Sequence, residues 1–236
     1  MLNSPPKATI GNMVLRACLR NWLIAALTAL CVAGYATGVS AQTKSPLRIV
    51  VLGDSLVAGF QLKLSDAFPA QLERALKARG HAVEVINAGV SGDTTAAGLD
   101  RLGWAVPERT DAVILELGAN DALRGLDPGR AKANLDRIMT QVKADGAEVL
   151  LAGMLAPRNN GEAYKKAFDG MYAELAKKHG ALLYPFFLEG IVLNSELNLS
   201  DGMHPNGRGV AEITKRILPL VEELIGRVRA RQASKG

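Results

Sequence analysis

The feature that most constrains the fold is the alternation of apolar, strand-like runs with segments of helical periodicity. Five such runs occur, and no internal repeat or low-complexity tract interrupts the series. The runs are Ile49–Leu52, Val83–Ile86, Ala112–Leu117, Val149–Ala152 and Leu182–Tyr184. This alternation predicts an α/β protein with one five-stranded parallel sheet covered by helices on both faces. Right-handed crossovers would bring every strand-to-helix loop to one edge of that sheet.

Start and stop signals bound the helices between these runs. We expect Asp66 to cap a helix over about residues 67–79. Asp127, followed by Pro128, is typical of a helix start, because proline is well tolerated at the first helical position. Further helices are expected near residues 94–104, 163–178 and 207–227.

The first apolar run leads directly into Gly53, Asp54 and Ser55. Glycine tolerates the dihedral angles of a sharp turn, so Ser55 is presented at the carboxyl end of a buried strand. Open α/β sheets bind ligands at that edge. Taken alone, a helix cap is the better interpretation of this serine, because caps are common and nucleophiles are rare.

The chain contains three histidines, of which one lies on the predicted ligand edge. His81 is interpreted as a surface residue beside a turn, and His179 as a last-turn residue favoured by the helix dipole. His204 lies in the loop before the final helix, with Asp201 three residues earlier. A carboxylate at this spacing can accept the Nδ1 proton and leave Nε2 to take the proton of Ser55. A cap for the following helix remains an alternative role for Asp201.

Hydrogen-bond donors for an oxyanion are available at the same edge. Candidates are the backbone N–H of Ser55, the backbone of Gly92 and the side-chain amide of Asn120. Simple turn roles are the alternatives for Gly92 and Asn120. Apolar residues in or near the edge loops are candidates for an acyl pocket or, equally, for packing beneath the loops: Leu123, Met154, Leu155, Ile191 and Leu193.

The first 41 residues have the pattern of a cleaved secretory signal peptide. They contain Lys7, Arg16 and Arg20 and no acidic residue, and an uncharged apolar run from Trp22 to about Ala36 follows. Val39-Ser40-Ala41 supplies small residues at the cleavage site. The apolar run is shorter than the ~20 residues of a membrane span, which favours cleavage after Ala41 over a stable membrane anchor.

Cleavage would change the composition of the mature chain, residues 42–236. The full chain has 28 Lys and Arg against 23 Asp and Glu, a net charge of +5, and the mature chain would have +2. So weak a charge gives no argument for a nucleic-acid partner. Both cysteines, Cys18 and Cys31, lie in the removed segment, so no disulfide is expected. The remaining 195 or so residues suit a single domain.

Four sequence blocks resemble those of the SGNH (GDSL) hydrolase family. They are Gly53-Asp54-Ser55-Leu56, Gly92 within Ser-Gly-Asp-Thr, Gly118-Ala119-Asn120-Asp121 and Asp201-Gly202-Met203-His204-Pro205-Asn206. They occur in the family's order across essentially the whole mature chain. The likeness is greatest to the secreted bacterial thioesterase, lysophospholipase and arylesterase branch. One departure is Asn160, where such relatives often have an aromatic residue, and this concerns acyl-chain preference.

The resemblance implies a three-layer flavodoxin-like fold with strand order 2-1-3-4-5. It also implies Ser55 as nucleophile, His204 as base and Asp201 as the orienting acid. The oxyanion hole would then consist of Ser55 N–H, Gly92 N–H and Asn120. No metal or cofactor is expected, and the expected partner is a small-molecule or lipid ester bound by a monomer.

The resulting functional expectation is an exported serine esterase, periplasmic or secreted, that acts on acyl or aryl esters, lysophospholipids or acyl thioesters. A carbohydrate O-acetyl esterase would share the mechanism and differ in the substrate cleft. A non-catalytic module that binds a nucleotide or phosphate is a third hypothesis. It is disfavoured because neither a G-x-G-x-x-G nor a G-x-x-x-x-G-K-[ST] stretch is present.

Overall fold

The computed structural model describes residues 45–234, and this part of the chain forms one five-stranded, all-parallel sheet. The strands are β1 (Leu47–Gly53), β2 (Val83–Gly89), β3 (Ala112–Glu116), β4 (Glu148–Ala152) and β5 (Leu182–Tyr184). Their spatial order is 2-1-3-4-5, so the predicted flavodoxin-like α/β fold is confirmed. The predicted signal peptide lies outside the described residues.

Helices cover both faces of the sheet. They are α1 (Ser55–Ala58), α2 (Phe68–Ala78), α3 (Thr95–Asp100), α4 (Leu102–Ala105), α5 (Ala119–Leu123), α6 (Pro128–Ala144), α7 (Glu162–His179) and α8 (Gly207–Ala233). Helices α2 and α8 pack together on one face, and α3, α6 and α7 pack side by side on the other. Between residues 45 and 234, no helix has the length and apolar character needed to cross a membrane.

Strand β1 lies between β2 and β3 in the sheet. Its residues Val50, Val51 and Leu52 are fully buried, as expected for a strand covered on both faces. In the parallel register Gly53 is opposite both Gly89 of β2 and Glu116 of β3. The three strands therefore end level with one another, and the loops that follow them meet at one edge.

The structure corrects one helix start and extends one helix end. The prediction that Asp66 caps α2 is wrong: Asp66 closes a 3₁₀ turn, and Ala67, in extended conformation, precedes the helix without a side-chain cap. Asp127 caps α6 as predicted, accepting from two backbone N–H groups. Helix α8 continues to Ala233, beyond the predicted end near residue 227.

Candidate active site

The turn after β1 holds Ser55 at the edge of the sheet. Asp54, not Ser55, is the N-cap of α1, and its Oδ1 accepts from the backbone N–H of Leu56 at 3.0 Å. A side chain at Gly53 would lie 2.3 Å from Val57 Cγ2 and 2.7 Å from the Glu116 carbonyl, so the turn requires glycine there. Because Asp54 takes the capping role, the Ser55 hydroxyl is available for another partner.

That partner is His204, 149 residues further along the chain. Ser55 Oγ lies 2.9 Å from His204 Nε2. On the other side of the imidazole, His204 Nδ1 lies 2.7 Å from Asp201 Oδ2. The structure thus brings together the three side chains of a Ser–His–Asp constellation. In this arrangement the imidazole can accept the serine proton while the carboxylate fixes its tautomer.

A short turn, Asp201–His204, holds the imidazole, and we call it the histidine turn. Asp201 Oδ1 accepts from the backbone N–H groups of His204 at 3.0 Å and Met203 at 2.9 Å. These two bonds have the largest effect on the pKa of Asp201, and the bond to the imidazole adds to it. Together they lower the pKa of Asp201 to about 2. The aromatic ring of Phe60 packs against the imidazole with centroids 4.5 Å apart. The turn therefore presents an ionised carboxylate and an oriented ring.

Asn120 lies between the loops that carry Ser55 and Gly92. Its Nδ2 donates to Asp54 Oδ2 and to the Asp93 carbonyl, both at 3.0 Å. These acceptors belong to the residues that follow Gly53 and Gly92, so the three predicted oxyanion donors come from adjacent segments. Gly92 has a φ of 87°, a value that favours glycine.

Five residues of charged types are buried among the described residues, and we call four of them, beneath this edge, the buried floor: Asp54, Asp93, Arg101 and Glu116. Arg101 Nε bonds to Asp93 Oδ2 at 2.6 Å, and its Nη2 bonds to the carbonyls of Gly53 and Ala88. One guanidinium thus joins the ends of β1 and β2 to the loop that follows β2. Sequence analysis missed Arg101, because nothing in its spacing indicates this long-range contact.

Glu116 is the second floor residue that sequence analysis missed. It ends β3, is fully buried, and its Oε2 accepts weakly from the Asp54 backbone N–H at 3.4 Å. Burial and the neighbouring Asp54 carboxylate raise the pKa of Glu116 well above its ordinary value. Its signal in the sequence was a single charged residue inside the apolar run 112–117.

The structure separates the predicted acyl-pocket residues into two groups. Leu123 and Leu155 are exposed, with 59% and 43% of their surface accessible. Met154 and Ile191 are buried in the core, which agrees with the alternative interpretation, packing beneath the loops. In the described part of the chain, no group of three or more His, Cys, Asp or Glu side chains is arranged to hold a metal ion.

The fold and the site together define a doubly wound α/β protein with a Ser–His–Asp constellation at the carboxyl edge of its sheet. Residues 51–211 match the model of the GDSL-like lipase/acylhydrolase family, and the chain belongs to that family.

Relatives and solved structures agree with this assignment. The chain is 40% identical over 168 residues to an arylesterase of Vibrio mimicus, and the aligned region covers 71% of this chain and 84% of the relative. It is 38% identical over 178 residues to thioesterase 1/protease 1/lysophospholipase L1 of Escherichia coli, covering 73% and 84%. The crystal structure of AlinE4, an SGNH-hydrolase family esterase, superposes with a TM-score of 0.65 at 43% identity, covering 76% and 96%. This protein is therefore a hydrolase of ester bonds.

Proposed function

We propose that Ser55 is the nucleophile of a serine esterase and that His204 is its general base. The observation that carries the proposal is the 2.9 Å separation of Ser55 Oγ and His204 Nε2. A serine hydroxyl is a weak nucleophile until a base within hydrogen-bond reach accepts its proton. Asp201 accepts the Nδ1 proton, which leaves Nε2 free to act as that base.

The reaction then has two halves. Ser55 Oγ attacks the ester or thioester carbonyl carbon as His204 takes its proton. The tetrahedral intermediate expels the alcohol or thiol, which leaves with the proton from His204, and an acyl-serine remains. Water next attacks the acyl-serine, with His204 again accepting a proton. Collapse of the second intermediate releases the carboxylic acid and returns the proton to Ser55.

The negative oxygen of each tetrahedral intermediate needs hydrogen-bond donors that are already in place. We assign this role to Ser55 N–H, Gly92 N–H and Asn120 Nδ2. The bonds from Asn120 to Asp54 and Asp93 support the assignment, because they hold the amide beside the segments of the other two donors.

We propose that the acyl group of the substrate is an apolar chain and that it binds along the loops around Ser55. Among the described residues, eight of the nine exposed large apolar side chains lie in segments that follow the carboxyl ends of strands. They are Leu64, Val90, Leu123, Leu126, Leu155, Val192, Leu193 and Met203. This distribution supports acyl esters, lysophospholipids or acyl thioesters as substrates rather than acetylated sugars. A chain-length series of p-nitrophenyl esters, beside acyl-CoA and acetylated sugars, tests this assignment.

The test of the nucleophile is Ser55→Ala. We expect hydrolysis of p-nitrophenyl butyrate to fall by about 10⁴-fold or more, because removal of one triad member leaves mainly oxyanion and binding contributions. Circular dichroism and the melting temperature should be unchanged. Ser234→Ala, at the end of α8, is the matched control and should retain full activity. Turnover by Ser55→Ala at the wild-type rate would refute the proposal.

We also propose that residues 1–41 are removed on export and that residues 42–236 form the mature periplasmic or secreted domain. The basic residues, the apolar run and Val39-Ser40-Ala41 support this proposal. Amino-terminal sequencing of protein recovered from the periplasm or medium should begin at Gln42. Retention of the first residues, or recovery only from the cytoplasm, would contradict it.

Finally, we propose that the enzyme acts as a monomer, because one chain supplies every group of the proposed machinery. Sedimentation equilibrium of the mature protein should give the mass of a single chain. Activity per chain should not change on dilution. A dilution-dependent loss of specific activity would contradict this proposal.

A further inference from the structure

Two carboxyl groups share a buried site directly beneath the nucleophile turn. Glu116 and Asp54 each have 0% of their surface exposed, and Glu116 Oε2 lies 3.4 Å from the backbone nitrogen of Asp54. Glu116 Oε1 has no hydrogen-bond partner in the described part of the chain. Two ionised carboxylates at one dry site repel strongly, so one of the pair retains a proton.

The surrounding donors decide which carboxyl is protonated. Burial raises the pKa of Asp54 to about 6, but Asp54 also accepts two hydrogen bonds that favour its ionised form, from Leu56 N–H and Asn120 Nδ2, both at 3.0 Å. Glu116 receives only the long contact from Asp54 N–H, at 3.4 Å. Glu116 is therefore the acid of the pair, and Asp54 is the carboxylate to which it can donate.

The Asp54 carboxylate in turn determines the orientation of Asn120. Both neighbours of Asn120 Nδ2, Asp54 Oδ2 and the Asp93 carbonyl, are acceptors, so only the nitrogen of the amide can face them. The bond to the charged Asp54 is the stronger of the two. When an oxyanion develops, the bond to the neutral Asp93 carbonyl is the one that Asn120 can exchange for it.

We propose that Glu116 is a positioning residue: its protonated carboxyl donates to Asp54, and Asp54 holds the Asn120 amide nitrogen toward the developing oxyanion. The inference rests on the proposed function, because it assigns Asn120 to the oxyanion hole. A neutral Glu116 also limits the buried pair to one negative charge, which keeps the negative potential at the oxyanion site low.

The test compares two neutral replacements of Glu116. Glu116→Gln keeps a donor of the same shape, and we expect kcat for p-nitrophenyl butyrate to stay within about threefold of the wild type. Glu116→Leu removes the donor, and we expect kcat to fall by about 10- to 100-fold with KM nearly unchanged, below the loss from deleting an oxyanion donor outright. Equal losses in both variants, or wild-type kcat in Glu116→Leu, would overturn the proposal.

A double-mutant cycle with Asn120→Ala separates positioning from general damage to the fold. If Glu116 acts through Asn120, Glu116→Leu should cost less than about twofold in the Asn120→Ala background. Persistence of the full loss in that background would contradict the proposal. Leu224→Ala is the control for core damage, because it truncates a fully buried side chain about 25 Å along α8 from the first residue of that helix. It should lower the melting temperature and leave kcat unchanged.

A measurement without turnover keeps the inference separate from the proposed function. In Ser55→Ala protein at neutral pH, infrared spectroscopy should detect the carbonyl band of a buried protonated carboxyl, and Glu116→Gln in that background should remove it. Absence of the band, or its persistence after Glu116→Gln, would overturn the inference whether or not Ser55 is the nucleophile. Activity retained in Ser55→Ala would instead refute the proposed function.

Discussion

The buried floor and the histidine turn support the same reaction by different physical means. The floor consists of ionisable residues with no more than 9% of their surface exposed, joined across strands that are distant in sequence. In the histidine turn, 31% of the Asp201 side chain is exposed, and the bonds that shape the turn span two or three residues. Changes in the floor should therefore affect both folding and catalysis, whereas changes in the turn should affect catalysis far more than stability.

The largest difference is expected for Asp201→Asn in the histidine turn. We expect kcat to fall by about 10³- to 10⁴-fold, because the amide no longer enforces the tautomer that leaves Nε2 free. The free energy of unfolding in urea at neutral pH should change by less than about 1 kcal/mol, since the group is partly exposed. A large loss of stability would show that the turn is part of the folding core.

The pH dependence of wild-type kcat/KM also separates the role of the histidine turn in catalysis from its role in stability. The pKa of Asp201 is lowered from 3.8 to about 2, so its carboxylate is ionised throughout the range in which imidazoles titrate. Its contribution to stability is present above 3.8 and is lost as the pH falls toward 2. We therefore expect kcat/KM to decrease on acidification while the fold persists, because a general base is inactive once it is protonated. A flat profile would contradict this.

In the buried floor, Arg101→Met should reduce stability strongly and kcat only moderately. Removing the guanidinium leaves Asp93 buried without its ion-pair partner, a change that typically costs about 3–5 kcal/mol of stability. We expect kcat to fall by about tenfold as the Gly92 loop shifts, a smaller loss than for Asp201→Asn. Arg227→Met, at an exposed pair with Glu223, is the control and should change stability by less than about 1 kcal/mol. Unchanged urea unfolding of Arg101→Met would contradict the distinction between the two regions.

The smallest effect is expected outside both regions, at Leu123. Leu123→Ser should lower kcat/KM for octanoyl esters by about threefold to tenfold, because it removes apolar surface from the proposed acyl path. The acetyl ester is the matched control, since its acyl group is too short to reach far along the loops. Equal losses for both esters would show that Leu123 acts on the reaction centre and not on the chain.

The fold was largely predictable from the sequence, because each strand is a short apolar run and the four longest helices have a clear periodicity. The single-turn helices α1 and α5 were not predicted, and the one helix expected near residues 94–104 is divided into α3 and α4. Asp127 caps α6 as the local pattern indicated. The cap predicted at Asp66 is wrong, because the preceding residues close a 3₁₀ turn that takes Asp66 into it. A spacing rule cannot detect that competition between two local structures.

The site was predictable only where chemistry and position coincide. Ser55 and His204 each follow a strand, and the parallel topology brings them to one edge. The catalytic roles assigned to them remain predictions until the variants are measured. Glu116 and Arg101 were missed because their partners are set by tertiary packing. The burial of Met154 could not be predicted, since an apolar loop residue can face the core or the cleft.

The short range of the bonds within the histidine turn has a consequence for how such enzymes diversify. Proton transfer depends on a four-residue unit joined directly to the start of α8, where Asn206 caps the helix. Residues 197–199 pair with the turn and its flank, but the chain between β5 and Leu197 can gain or lose length while the base and its carboxylate stay in register. Substrate range can therefore change through the size of one connecting segment, with the chemistry carried along intact.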